Sequence, residues 1–168
     1  MGKLILSSLI LLLLFPLSLL AVHSYQFENY NWSDSMQEII EKVETKGHKL
    51  SIKTEKGLAY EDVIFNEKCE VSFYFTPQSK KLTTINIKWG TKHIGADLLN
   101  LLKETYSVKF GKSNEFIDKY NSEGATDDSF VALDYFLFKT ELTYYGPYYR
   151  NYNQEQKAIV KDEGKGRF

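Results

Sequence analysis

Hydrophobic and polar positions change period several times along this chain. The start has no period: 15 of the 19 positions from Leu4 to Val22 are Leu, Ile, Phe, Ala or Val, and none is charged. Residues 25–32 carry Tyr25, Phe27, Tyr30 and Trp32 and predict a first strand. Met36, Ile39, Ile40 and Val43 then recur at i, i+3, i+4 and i+7, one face of a helix. Ser35 and Glu38 stand at capping-box spacing before it, and Gly47 supplies its stop.

Alternation follows. It predicts strands over 48–55, 58–65, 69–76 and 82–89, separated by Lys56-Gly57, Asn66-Glu67-Lys68 and Pro77-Gln78-Ser79-Lys80. Such short connections allow no crossover, so the four strands form an antiparallel meander. A second helix is predicted over 94–107 with Thr91 as its cap. Its stripe of Ile94, Leu98, Leu101 and Leu102, widened by Leu99 and Tyr106, suits the more deeply buried helix. Ser113 is expected to cap a short third helix through Tyr120. Residues 121–129 read as a loop, 130–139, 140–145 and 157–161 as strands, and 162–168 as a frayed tail.

These elements predict an α+β fold: a single antiparallel β-sheet with two main helices packed on one face. The expected organisation is a signal peptide over 1–24, one domain over 25–161 and a disordered tail. Core candidates are Tyr30, Trp32, Ile39, Ile40, Val43, Val71, Phe73, Phe75, Ile85, Ile87, Leu98, Leu102, Phe136 and Leu142. Tyr74 and Thr84 fall on the opposite sheet face. Asn31-Trp32-Ser33-Asp34-Ser35 and Lys88-Trp89-Gly90-Thr91-Lys92 lead into the two helices alike, 57 residues apart.

Composition sharpens the picture at the N-terminus. Lys3 precedes the apolar run, and Val22-His23-Ser24 offers a cleavage site, the layout of a secretory signal. An uncleaved anchor over residues 4–22 is the alternative, since 19 residues come close to spanning a bilayer. Both place the domain in an extracytoplasmic space, periplasmic or secreted. The full chain has 21 Lys and Arg against 22 Asp and Glu, and only Lys3 of these lies in the leader. A near-neutral chain without a basic block is no candidate for nucleic-acid binding. The expected partner is another envelope or extracellular protein, with the membrane engaged only through an uncleaved leader.

Candidate chemistry is sparse. Cys69 is the only cysteine, so no internal disulfide forms. Its strand pattern puts it beside Val71 and Phe73 as a buried apolar residue. His48 and His93 show no metal-ligand spacing, no Gly-x-Ser-x-Gly elbow occurs, and Thr126-Asp127-Asp128-Ser129 lacks the EF-hand pattern. No metal or cofactor is expected. Carboxylates such as Glu61 and Asp134 leave open a small hydrolase acting on cell-wall or extracellular polymer through a carboxylate pair.

The compositional anomaly is aromatic. Five of the 12 tyrosines lie in Tyr144-Tyr145-Gly146-Pro147-Tyr148-Tyr149-Arg150-Asn151-Tyr152. Tyr144, Tyr145, Tyr148, Tyr149, Arg150 and Tyr152 are therefore the candidate partner-binding residues of a non-enzymatic module, because tyrosine joins a large ring to a polar tip. Such a stretch also suits sugar recognition, and its structural alternative is a strand end packed over the sheet edge. The segment Phe27-x-x-Tyr30-x-Trp32-x-x-Ser35, with the helix and meander after it, resembles small exported bacterial proteins of uncharacterised function. It is similar more broadly to the helix-and-meander units of envelope lipoproteins and β-lactamase-inhibitor-like proteins. The resemblance implies protein binding rather than catalysis and supplies no catalytic residues.

Overall fold

The computed structural model describes residues 25–106, 110–114, 118–122 and 128–165. The expected signal peptide, residues 166–168 of the expected tail and most of the 121–129 segment lie outside them. Eleven elements follow in order. Helix α1 (Met36–Thr45) precedes strands β1 (Leu50–Lys53), β2 (Gly57–Ile64), β3 (Glu67–Phe75) and β4 (Leu82–Trp89). Helix α2 (Gly95–Tyr106) precedes β5 (Phe110–Asn114), β6 (Asp118–Ser122), β7 (Phe130–Phe136) and β8 (Lys139–Tyr145). Helix α3 (Tyr149–Lys165) closes the series. The strands form one antiparallel sheet in the order β1-β2-β3-β4-β8-β7-β6-β5. The fold is α+β, with the predicted meander as one half of the sheet.

The element order doubles. Each half is a helix followed by a four-stranded meander, and the last strands of the two halves pair at the centre. Strand order therefore reads alike from either edge. The echo around Trp32 and Trp89 marks the entry to the helix of each half.

Registers explain the core. Tyr60, Val71, Ile87, Leu142 and Leu133 align across β2, β3, β4, β8 and β7. Leu58, Phe73, Ile85, Tyr144 and Val131 form the next row, and all ten are buried. A bulge at Thr83 between Tyr74 and Phe75 turns Leu82 inward despite its parity. Ile39, Ile40 and Val43 of α1 and Leu98, Leu99 and Leu102 of α2 join the same buried cluster. The Ser35–Glu38 capping box forms as expected, and Gly47 follows α1 at φ +84°.

Several expectations need correction. Residues 25–32 are turns, not a strand. Glu28 adopts φ 53°, the Tyr30 N–H donates to Phe27 O, and the Trp32 indole N–H donates to Tyr25 O at 2.9 Å. Tyr25, Tyr30 and Trp32 are buried as anchors, not as one face of a strand. The short third helix is replaced by strands β5 and β6, and residues 121 and 122 of the expected loop belong to β6. The expected strand over 157–161 and the start of the expected tail belong to α3. Phe136 leaves the core list at 38 % exposure, because β7 ends there and the chain turns. Leu101, placed on the buried stripe of α2, is exposed.

Helix α3 also changes the layering. Its tyrosines meet Tyr74, Thr84 and Tyr145, which by register sit opposite the core face. The three helices thus do not share one face of the sheet.

Candidate functional site

The tyrosine stretch straddles the corner between β8 and α3, and strand alternation splits it. Tyr144 points into the core, 6 % exposed, with its ring 5.9 Å from that of Phe27. Burial and the Tyr106 hydroxyl raise its phenol well above the ordinary range. Tyr144 is therefore a core residue, not a contact for a partner. Tyr145 emerges on the other face and stacks on Phe130 at 4.4 Å and 14°.

The corner itself is fixed by backbone. Gly146 N–H donates to Thr83 O at 2.8 Å, and Tyr149 N–H donates to Gly146 O at 3.1 Å. The ring of Trp32 lies so close to Gly146 that a Cβ there would come within 2.3 Å of it. Tyr148 turns toward the core, with the Lys81 ammonium 5.9 Å from its ring centre. Tyr149 meets Phe130 and Tyr145 edge-on at 5.2 and 5.5 Å. Arg150 is exposed and folds back, its Nε–H donating to the Tyr149 hydroxyl at 3.0 Å. Within its first two turns α3 reaches the β3–β4 connection. There the Glu155 carboxylate accepts from Gln78 N–H, Ser79 N–H and the Ser79 hydroxyl at 2.7, 3.1 and 2.6 Å.

Between α3 and the sheet lies a groove of about 320 Å³. Tyr74, Thr83, Thr84 and Tyr145 form its floor, and Tyr149, Tyr152 and Asn153 its wall. Tyr74 is 45 % exposed, a large ring open to solvent. The structure thus gathers Tyr145, Tyr149 and Tyr152 of the six candidates, keeps Arg150 beside them, and sends Tyr144 and Tyr148 inward. Tyr74 and Thr84 join from the opposite-face set. Sequence reading missed Asn153, because the wall becomes visible only once 149–165 is a helix.

Two larger hollows have a different chemistry. One, of about 550 Å³, lies along the edge of β2 and is lined by His48, Glu61, Asp62, Lys68, Cys69, Glu70 and Lys88, among others. His48 Nε2 stands 3.7 Å from Asp62 Oδ2, and its ring lies against Tyr60. Cys69 shares this hollow, but burial first and the Asp62 carboxylate second push its thiol up to about 11. It is protonated at neutral pH and is no nucleophile. The other hollow, also about 550 Å³, lies under the β7–β8 turn, where Leu137 and Phe138 meet Thr91, Lys92, His93 and Ala96.

The carboxylates fall on one band of the exposed sheet face. Glu61, Glu70, Lys88, Glu141 and Asp134 follow in register across β2, β3, β4, β8 and β7. Four strand spacings separate Glu61 from Asp134, about 19 Å, too far to act on one bond. Glu141 is engaged in structure. Burial would raise its carboxyl, but hydrogen bonds from Lys139 and Asn86 hold it below the usual range. Glu61 and Glu70 stand opposite each other and both face solvent. A general acid needs the drier setting that raises a carboxyl.

Among the described residues, no group of three His, Cys, Asp or Glu is placed to hold a metal ion. No helix among them is long and apolar enough to cross a membrane. No known protein family, no curated protein and no solved structure matches the chain.

Proposed function

We propose that this protein is an exported, non-enzymatic binding module of the cell envelope or extracellular space, and that it takes its ligand in the groove between α3 and the sheet. One observation carries the reading: Tyr74, Tyr145, Tyr149 and Tyr152 converge on that groove from a strand, a strand end and a helix. Interfaces concentrate tyrosine because one side chain supplies both buried area and a hydrogen bond. The leader over residues 4–22 supports export. The exposed setting of Glu61 and Glu70 and the protonated Cys69 weigh against hydrolysis.

The test is capture by the immobilised full chain from envelope and culture-fluid fractions of the producing cells. Tyr149→Ala with Tyr152→Ala should lose the captured material, while the far-UV circular dichroism stays that of the parent. Capture that persists unchanged in this double variant would sink the groove as the binding surface.

A further inference from the structure

We infer that the groove between α3 and the sheet is a binding site for an uncharged carbohydrate. The inference rests on the reading of the groove as the ligand site and adds the class of ligand. Its ground is the composition of the lining. Four tyrosines, two threonines and one asparagine form it, with no Asp, Glu, Lys, Arg or His and no aliphatic side chain among them. Each class of ligand asks for something different. A nucleic acid or a phosphorylated group needs cations. An acidic or basic peptide needs the opposite charge, and a lipid chain needs a long apolar wall.

A neutral sugar ring needs what is here. Its two faces carry C–H groups that lie flat on an aromatic ring, and its rim carries hydroxyls that trade hydrogen bonds with phenol, hydroxyl and amide groups. Tyr74 offers an open ring on the sheet side. Tyr149 and Tyr152, one helical turn apart, line the opposite wall. Thr84 and Asn153 supply further polar groups to the same groove, whereas the Thr83 hydroxyl is spent on Tyr74 O at 2.9 Å.

The platform is rigid, which lowers the entropy lost on binding. Tyr145 is held by its stack on Phe130 and its edge contact with Tyr149. Helix α3 is tied to the β3–β4 connection by the three bonds to Glu155. The charged hollow along β2 provides the contrast. It holds Glu61, Asp62, Glu70, Lys68 and Lys88 and would select a charged ligand instead.

The experiment is isothermal titration of the full chain, in a detergent without sugar headgroups, against cellohexaose, chitohexaose and maltohexaose. Saturable binding of at least one is expected. Tyr74→Ala, or Tyr149→Ala with Tyr152→Ala, should weaken it by about tenfold or more. Tyr74→Phe, which keeps the stacking face, should retain most of it, and so separates ring stacking from loss of fold. No binding of any of the three at millimolar concentration overturns the inference, as does binding that these alanine variants leave unchanged. Groove-dependent capture of a protein without sugar binding also overturns it, while leaving the groove itself as the ligand site. Failure of both experiments removes both readings.

Discussion

Single atoms set the strictest limits on this chain, and Cys69 and Gly146 show two kinds. The Cys69 thiol is buried on β3 opposite Asp62, and both burial and that carboxylate disfavour a thiolate. Raising it from 9.0 to about 11 leaves about a hundredfold less thiolate at pH 8 than an ordinary thiol has. A more basic thiolate is also more nucleophilic, which offsets part of that factor, so alkylation by iodoacetamide in the native protein should be slower by about tenfold or more and should recover on unfolding in urea. Rapid native labelling would refute the buried, protonated state. Gly146 is constrained by space. An added Cβ would stand 2.3 and 2.4 Å from two ring carbons of Trp32, a buried side chain held by its own hydrogen bond to Tyr25 O. Gly146→Ala should therefore destabilise the fold by about 1–3 kcal/mol. Gly90→Ala, where nothing lies within 4 Å, should stay within about 0.5 kcal/mol of the parent. Urea midpoints of the two variants give the comparison. Leu137 stands apart from both, because it holds φ 51° in a two-residue turn where asparagine or glycine is usual.

Elements were legible in the sequence where pattern alone decides them. Turn signals bound all four strands of the first meander, β3 alternates along most of its length, and α1 carries both its stripe and its cap. Thirteen of the fourteen core candidates are buried, eleven of them on helices and strands and two, Tyr30 and Trp32, as anchors in turns. Elements that depend on neighbours were not legible. β5 and β6 carry little alternation of their own and are strands because β6 pairs with β7 and β5 with β6. Helix α3 hid for a different reason. Its inner face is Tyr149, Tyr152, Glu155 and Ile159, mostly polar, so no apolar stripe announces it. The short apolar run Ala158-Ile159-Val160 then imitates a strand, although Gln, Glu, Lys and Ala around it favour helix. The groove inherited that blind spot, since half of it stands on α3. The latch of α3 is correspondingly polar, and this makes it pH-sensitive. Desolvation raises the Glu155 carboxyl, but the Ser79 hydroxyl and the Gln78 and Ser79 amides outweigh it and hold the carboxyl below 4.5. A depressed carboxyl stabilises fully above its unfolded value and loses that contribution as pH falls through its folded value. The latch is thus complete at pH 7 and weakens on acidification below about 4.5. Amide exchange in α3 should quicken by about fivefold across that window relative to the sheet, after correction for intrinsic rates. Glu155→Gln should flatten the dependence. An α3 whose protection ignores both the pH and the substitution is held by something other than this carboxylate.

At the scale of the whole molecule, the doubled element order raises the question of whether the halves are independent. Each has its own helix and meander, and a chain built that way can behave as two domains. The seam argues otherwise. β4 and β8 pair over six residues from each strand, and the core rows run through without a break, Val71 and Ile87 on one side, Leu142 and Leu133 on the other. Trp32, at the entry to the first half, packs on Gly146 at the exit of the second. Neither half can bury its last strand without the other, so the chain should unfold as one cooperative unit. Urea transitions followed by tryptophan fluorescence and by far-UV circular dichroism should coincide, since Trp32 and Trp89 report packing and the dichroism reports both halves. Leu142→Ala tests the seam directly. Leu142 is buried between Ile87 and Leu133, and removing its side chain should cost about 2–5 kcal/mol. In a single unit that loss moves both probes together to a lower midpoint with the same slope. In a pair of loosely joined halves it moves one probe and splits the transition, and the continuous core would then be the wrong account of how the two meanders hold together.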